Sequence, residues 1–494
     1  MSSSLNLIDH FPYVEARPIQ KEALQTIQDN WDKYDVFVLI GPTAFGKSAV
    51  ARTLMNALNS VSCITPTNLL VDQMLQEFPD TPTLSRLDKY RCEEWKRPCS
   101  QTRARLMKFC KGCQCGKDLS QAKFRRGPGI YNYHTYMAHK LFRDVLVVDE
   151  AHNLLSVIRE RLALRMWRHD YRYPSNMWKP EQVKEWVATL SDAKRRTKKV
   201  VALKEAASYQ VPEYVYQRTK EWFNGKGTTR NEPEERELIK LLPVDVSQAP
   251  PIFWPQEVQK IILMSATIGP KDIEQLGLSR RRVCYIACKS PIPAEQRPVV
   301  PLSLMSVNRT AIQDGGDEQL AEYITKITND HPGEKGIVHV TYQLSALLRE
   351  RLTGSRYIFH DRDNKGYKYK EFRDASPESG RVLVACGLYE GIDLPEDAGR
   401  WQVIAKIPWQ SLASPAIKHL AELDPEWYIW DTLKTTIQAC GRICRTPEDY
   451  GTTFILDTSF WRLIKEGKHL IPEWFLDALV SREDTDNYRR QLGL

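Results

Sequence analysis

Short runs of consecutive apolar residues recur along the chain, bounded by charged residues or glycine. They are VFVLI at 36–40, VLVV at 145–148, and the centres of KGIVHVT (335–341) and RVLVACG (381–387). A strand that is apolar at successive positions is buried on both faces, as in a parallel sheet covered by helices. Apolar residues at helical spacing separate the last two runs, so the pattern predicts an α/β chain with a parallel sheet in each half. Between about 154 and 250 the pattern changes. KPEQVKEWVATLSDAKRR (179–196) carries apolar residues at helical spacing, and EPEERELIKLL (232–242) opens with acids, as helix starts prefer. This stretch is therefore expected to be mostly helix. Its Trp167, Trp178 and Trp186 are expected to serve a core. No run reaches eighteen apolar residues, so no membrane helix is predicted.

The chain has 494 residues, room for two or three domains. Its 42% hydrophobic and 10% aromatic content excludes a disordered chain. The start, MSSSLNLIDHF, lacks the basic flank and apolar stretch of a signal peptide, so the expected location is the cytoplasm, or the nucleus of a eukaryote. Charge is uneven. Thirteen Lys and Arg stand against four Asp and Glu between Arg86 and Arg126, an excess larger than the net +8 of the whole chain. Such a segment suits a polyanion, nucleic acid first, or is a solvated basic loop, and charge alone leaves both open. It also holds five of the eleven cysteines: Cys92, Cys99, Cys110, Cys113 and Cys115. Thiols crowded into a polar stretch, with a Cys110-x-x-Cys113 pair among them, are what a soft metal centre needs. Spacing alone leaves zinc and iron–sulfur open. Cys63, Cys284, Cys288, Cys386, Cys440 and Cys444 stand in apolar or motif contexts and are expected to be small buried hydrophobes.

The first apolar run leads into Gly41-Pro42-Thr43-Ala44-Phe45-Gly46-Lys47-Ser48, a G-x-x-x-x-G-K-S loop between a strand and a helix. Its glycines let backbone N–H groups wrap a β-phosphate, and the helix start adds a positive dipole end. Lys47 would neutralise the β and γ phosphates of ATP, and Ser48 would offer a hydroxyl to Mg2+. The second run ends in Asp149 and Glu150, two carboxylates at the carboxyl end of a strand, where open α/β sheets bind ligands. Asp149 would hold Mg2+ through water, and Glu150 would orient and deprotonate the attacking water.

At Asp149-Glu150-Ala151-His152 the chain resembles the DEAH-box helicases of superfamily 2, and further motifs follow that family's order. Arg17-Pro18-Ile19-Gln20 resembles the adenine-reading element. Thr65-Pro66-Thr67 resembles the strand-end motif that grips a nucleic-acid backbone. Met264-Ser265-Ala266-Thr267 is similar to the motif coupling hydrolysis to lobe movement. Gly391-Ile392-Asp393 resembles the fifth motif, and Gln438-x-x-Gly441-Arg442-x-x-Arg445 the sixth. The resemblance implies two RecA-like lobes with ATP hydrolysed between them. It assigns Gln438, Arg442 and Arg445 to catalysis from the second lobe, with Gln20 and Asp393 among the nucleotide-binding residues. Arginine suits that place because a loose phosphoryl-transfer transition state needs permanently charged planar donors.

The cysteine-rich segment lies between the phosphate loop and the DEAH box, where the iron–sulfur helicases of the XPD/DinG family carry their cluster insertion. Gly129-Ile130-Tyr131-Asn132-Tyr133-His134, Ser290-Pro291-Ile292-Pro293, Arg297-Pro298 and Asp449-Tyr450-Gly451 are similar to family sequences too. This resemblance implies a 4Fe–4S cluster, with zinc as the alternative, held by four of the five cysteines. Cys92 and Cys115 are the firmest by position. It further implies a monomeric DNA helicase of 5′→3′ polarity, acting on single-stranded DNA and on forked or tailed duplexes, with no membrane partner. The alternatives are an RNA helicase, or a translocase or remodeller without processive unwinding. The expected domains are a first lobe of 1–85, 127–153 and 251–290, a cluster insertion at 86–126, a helical arch-like insertion at 154–250, and a second lobe at 291–494. Lys194-Arg195-Arg196 and Lys198-Lys199 are expected to form a solvated helix face, with a lining of the hole beneath such an arch as the alternative.

Overall fold

The computed structural model describes residues 6–85, 89–93, 96–99, 113–124, 126–167, 214–223, 234–243, 245–247, 253–255, 257–389, 392 and 394–494, with isolated positions at 185 and 189. Cys110, Gly391, Asp393, Trp178, Trp186 and the basic residues from Lys194 to Lys199 lie outside them. The chain forms two compact units. The first comprises residues up to Ile40, Gly46–Ile286 and Ser411–Leu423; the second comprises Gly41–Phe45, Ala287–Gln410 and Asp424–Leu494.

In the first unit, β1 (Val36–Ile40), β2 (Val61–Thr65), β3 (Gly129–Asn132), β4 (Val145–Val148), β8 (Lys260–Ser265) and β9 (Val283–Ala287) form one sheet in the order β3-β2-β4-β8-β1-β9. The pairs β2–β3, β2–β4, β4–β8 and β1–β8 are parallel. This topology locates both insertions. β2 and β3 are neighbours, so the cysteine-rich segment is a crossover between adjacent strands. β4 and β8 are also neighbours, with Val145 opposite Lys260, so the stretch from 149 to 259 leaves the sheet and returns to the next position in it. Val36, Val38, Leu146, Val148, Ile261 and Leu263 bury one face in a core shared with Tyr131, Tyr133 and Tyr136.

One expectation is corrected in the second insertion. The acidic stretch read as a helix is a strand: β7 (Glu234–Pro243) lies between β5 (Leu164–Trp167) and β6 (Tyr214–Phe223) in an antiparallel three-stranded sheet. β6, YVYQRTKEWF, is rich in aromatic and β-branched residues. Its register sets Lys220 opposite Glu237 and Glu221 opposite Arg236. Strand pairing on both sides of β7 outweighs a weak local helix preference. The other expected helix, 179–196, lies outside the described residues except at two positions.

The second unit is a sheet in the order β10-β15-β14-β11-β13-β12: β10 (Val299–Val300), β11 (Gly336–Val340), β12 (Tyr357–Phe359), β13 (Val382–Cys386), β14 (Trp401–Ile404) and β15 (Thr452–Ile455). Every neighbouring pair is parallel. Val338 and Val340 of β11 join one buried cluster and Ile337 another, so this strand is covered on both faces as its unbroken apolar run requires. Gly336 is needed where Trp401 packs across it, since a Cβ there would collide with the indole. Among the described residues no helix is long and apolar enough to cross a membrane.

Candidate nucleotide and metal sites

The phosphate loop leaves β1 and enters the helix Lys47–Ala57. Two of its residues, Ala44 (φ 65°) and Gly46 (φ 84°), are left-handed, which turns successive backbone N–H groups toward one concave side. Gly46 also accommodates Gln20. The Gln20 amide donates to the Gly46 carbonyl at 3.4 Å, and a Cβ at Gly46 would collide with it. Gln20 Oε1 in turn accepts from the Arg17 backbone N–H at 2.9 Å. The predicted adenine-reading pair is thus braced against the loop.

At the end of β4, Asp149 is buried, and its carboxyl is pushed up to about 6, first by burial and then by Glu150, with Lys47 acting in the opposite direction. Its Oδ1 is buried with no hydrogen-bond partner among the described residues. An uncompensated buried carboxylate oxygen is costly. A hard cation removes that cost, and a carboxylate with a serine hydroxyl is an oxygen donor set suited to Mg2+. Asp149 and Ser48, in the first turn of the helix after the loop, therefore fit the ion.

Glu150 is left-handed as well (φ 49°, ψ 46°), a strained conformation for a residue with a side chain. Its carboxylate is about a third exposed, within reach of water, and lies 3.4 Å from His152 Nδ1. That same nitrogen is 2.8 Å from Ser265 Oγ, which accepts from the Thr267 N–H at 3.1 Å. The DEAH turn and the Ser-Ala-Thr turn are therefore one hydrogen-bonded unit. Each turn was legible in the chain; their join through His152 and Ser265 was not. Thr67 caps the helix Asn68–Glu77 through the Leu70 N–H, and so fixes the strand-end motif after β2.

In the second unit Gln438 is buried in the last turn of the helix Pro425–Cys440. Arg442 donates to the carbonyls of Gln438 (2.8 Å) and Ile392 (3.1 Å), and Arg445 to that of Gly441 (3.3 Å). Asp449 organises this region. Its buried carboxylate accepts from the backbone N–H groups of Glu396 (2.9 Å), Arg445 (3.0 Å) and Tyr450 (2.9 Å) and from the Arg400 guanidinium (2.7 Å). An amide there would turn a donor toward these donors. Asp449→Asn should therefore cost about 3–5 kcal/mol, the range for breaking a buried ion pair from one side. A lowered midpoint in chemical denaturation would record it.

Four of the five clustered cysteines, Cys92, Cys99, Cys113 and Cys115, come together in one buried group. A tight hairpin presents two of them. Cys92 N–H donates to the Arg97 carbonyl and Cys99 N–H to that of Tyr90, both at 2.8 Å. Cys113 precedes the helix Gln114–Phe124, and Cys115 lies in its first turn. The sulfurs of Cys92, Cys99 and Cys113 all lie within 4.8 Å of one another, with Cys92 and Cys113 at 3.6 Å. The Cys99 thiol is pushed up to about 12 by burial and by its hydrogen bond and proximity to Cys115, Cys113 and Cys92. A group of thiolates this close needs a cation to be stable. An all-sulfur donor set fits a soft metal, zinc or iron–sulfur. Of the remaining cysteines, Cys63, Cys386 and Cys444 are buried as expected, whereas Cys284, Cys288 and Cys440 are only partly so.

Two family models match the chain: "Type III restriction enzyme, res subunit" over residues 13–172 and "Helicase C-terminal domain" over residues 336–477. The chain is 29% identical over 261 residues to the general transcription and DNA repair factor IIH helicase subunit XPD of Dictyostelium discoideum, covering 46% of this chain and 33% of that protein. It is 23% identical over 248 residues to a probable ATP-dependent helicase of Methanocaldococcus jannaschii, covering 42% and 37%. The matched region thus spans about a third of the length of these curated relatives. Among solved structures, S. tokodaii Xpd4 superposes with a TM-score of 0.56 at 14% identity, covering 94% of this chain and all of that one, a likeness of fold. The two family models fall one in each half of the chain, each on one of the parallel sheets, and together with the XPD relatives they support an XPD-like helicase of superfamily 2, the family this chain resembles.

Proposed function

We propose that the protein is an ATP-driven DNA helicase that moves 5′→3′ along single-stranded DNA and opens forked or tailed duplexes. The observation that carries this reading is the buried, unpartnered Asp149 oxygen beside a strained Glu150, on a turn hydrogen-bonded through His152 to Ser265. Mg2+, when bound, supplies charge neutralisation at the phosphates. Lys47 neutralises the same oxygens, the loop N–H groups orient them, and Glu150 takes a proton from the attacking water. By the resemblance, Arg442 and Arg445 are the cationic donors for the transition state. The serine hydroxyl joined to His152 gives the turn a means of passing the state of the γ-phosphate to the rest of the unit.

The DNA substrate and the polarity rest on the resemblance to the iron–sulfur helicases and on the basic, cysteine-rich crossover between β2 and β3. A DNA-repair context is the reading drawn from the XPD relatives. The test is ATP-dependent unwinding of two DNA duplexes, one with a 5′ and one with a 3′ single-stranded tail, using anaerobically prepared protein. Opening of the 5′-tailed substrate alone is expected. Opening of the 3′-tailed substrate alone would break the polarity. Stimulated ATP hydrolysis with neither substrate opened would favour a translocase or remodeller.

One distance favours a second reading of the cysteine site. A tetrahedral zinc with Zn–S of about 2.3 Å sets its sulfurs roughly 3.8 Å apart, near the 3.6 Å between Cys92 and Cys113. A four-iron cube holds its ligands on separate corners, farther apart. We retain iron–sulfur on the position of the insertion. Iron and zinc content, with broad absorption near roughly 400 nm, decides between them.

A further inference from the structure

The Gly-Ile-Tyr-Asn-Tyr-His run that follows the cysteine-rich crossover marks the family in the sequence, yet no step of the reaction above uses it. Its second tyrosine is fully buried. Tyr133 opens the helix Tyr133–His139, whose start is fixed by Asn132: its side-chain oxygen accepts from the Thr135 N–H at 2.7 Å. From there the phenol reaches across the sheet to the end of β4. It lies within donor reach of two successive carbonyls, those of Asp149 and, at 3.0 Å, Glu150. These are the carbonyls on either side of the strained Glu150 α-carbon.

We propose that Tyr133 is the positioning residue for the general base, its hydroxyl holding the left-handed Glu150 turn so that the carboxylate meets the attacking water. The inference rests on the assignment of Glu150 to that role. A non-glycine residue in this region costs about 1–3 kcal/mol and persists only where its surroundings over-determine it. Among the described residues several contacts hold the β4 end, including the Asn153 N–H that donates to the Glu150 carbonyl at 3.0 Å and the His152–Ser265 contact at 2.8 Å. The Asp149 N–H donates to the Ile64 carbonyl at 2.9 Å, before the turn. Tyr133 binds the two carbonyls of the turn itself. Without it the Asp149 carbonyl loses this donor, the peptide between Asp149 and Glu150 relaxes toward an ordinary conformation, and the carboxylate swings with it. Loop, Lys47 and Asp149 carboxylate stay in place, so nucleotide binding survives while turnover suffers.

The experiment is Tyr133→Phe, which removes one oxygen and keeps the packed ring. ATP hydrolysis, Mg·ADP affinity and melting temperature are measured beside the wild type. The expected result is a kcat lower by roughly tenfold or more, since about 1 Å of misplacement at a reacting group costs up to ~100-fold. KM for ATP and Mg·ADP affinity should stay within about twofold, as uniform binding is not touched. In a Glu150→Gln background, single-turnover rates should show no further loss on adding Tyr133→Phe, because residues acting through one group are not additive. A kcat within about twofold of an active wild type would overturn the inference. So would equal losses in both backgrounds accompanied by a lower melting temperature, the signature of a packing role. Absence of hydrolysis by the wild-type chain would overturn the Glu150 assignment, and the inference with it.

Discussion

Glu150→Gln should stop steady-state ATP hydrolysis while leaving nucleotide binding intact. The substitution preserves volume and the left-handed backbone, and it keeps an oxygen that can face His152 Nδ1, 3.4 Å away in the wild type. What it removes is the capacity to accept a proton. General-base contributions run to about 10²–10⁴-fold, so the residual rate should fall by that order. Lys47→Ala is the informative contrast. It removes a charge from the phosphates in the ground state as well as in the transition state, and also from beside Asp149, whose raised carboxyl depends on that charge for relief. Hydrolysis should be lost in both variants, but Mg·ADP binding only in Lys47→Ala. Equilibrium binding of a fluorescent nucleotide beside a phosphate-release assay separates them. Near-normal turnover in Glu150→Gln would remove that residue from the base role.

Cys115→Ser should abolish stoichiometric metal binding and loosen the crossover between β2 and β3, with hydrolysis less affected than unwinding. The four gathered thiols are fully buried or nearly so, on a tight hairpin and one short helix joined by the Tyr90–Asp118 hydrogen bond at 2.8 Å. In such a segment metal binding is folding energy, about 10–16 kcal/mol for structural zinc near neutral pH. Losing one ligand should therefore show as metal content well below one site per chain and as new proteolytic cleavage within 86–126. The phosphate loop and the DEAH turn lie outside that crossover, so basal hydrolysis should persist. Cys110→Ser is the paired variant. With Cys92, Cys99, Cys113 and Cys115 proposed as the four ligands, it should retain its metal. Metal loss in Cys110→Ser with retention in Cys99→Ser would exchange the two in the ligand set.

Much of this was readable from the residues in order. The unbroken apolar runs announced two parallel sheets because a strand covered on both faces has no polar side to show. The phosphate loop was legible because its chemistry is local: glycine, lysine and serine must follow one another to wrap a phosphate at a helix start. Asp149 and Glu150 were legible for the same reason, as carboxylates at the end of a buried strand. The segment 232–242 was misread as helix because its acids resemble a helix start, and the strand pairing that overrules them comes from β5 and β6.

Only the tertiary structure decided what depends on residues distant in sequence. The chain by itself determined which groups could do chemistry: Lys47, Ser48, Asp149, Glu150, the two arginines and a surplus of thiols. That Cys92, Cys99, Cys113 and Cys115 gather depends on a hairpin and a helix folding toward each other. Asp449, a family marker in the sequence, proved to be the acceptor that binds Glu396, Arg400 and Arg445, and Tyr133 the donor beneath the Glu150 turn. A hydrogen bond has no period along the chain, and its partners here lie 16 to 113 residues apart in the first unit. Sequence pattern records burial and local conformation; it does not record which buried donor meets which acceptor until the sheet order is set.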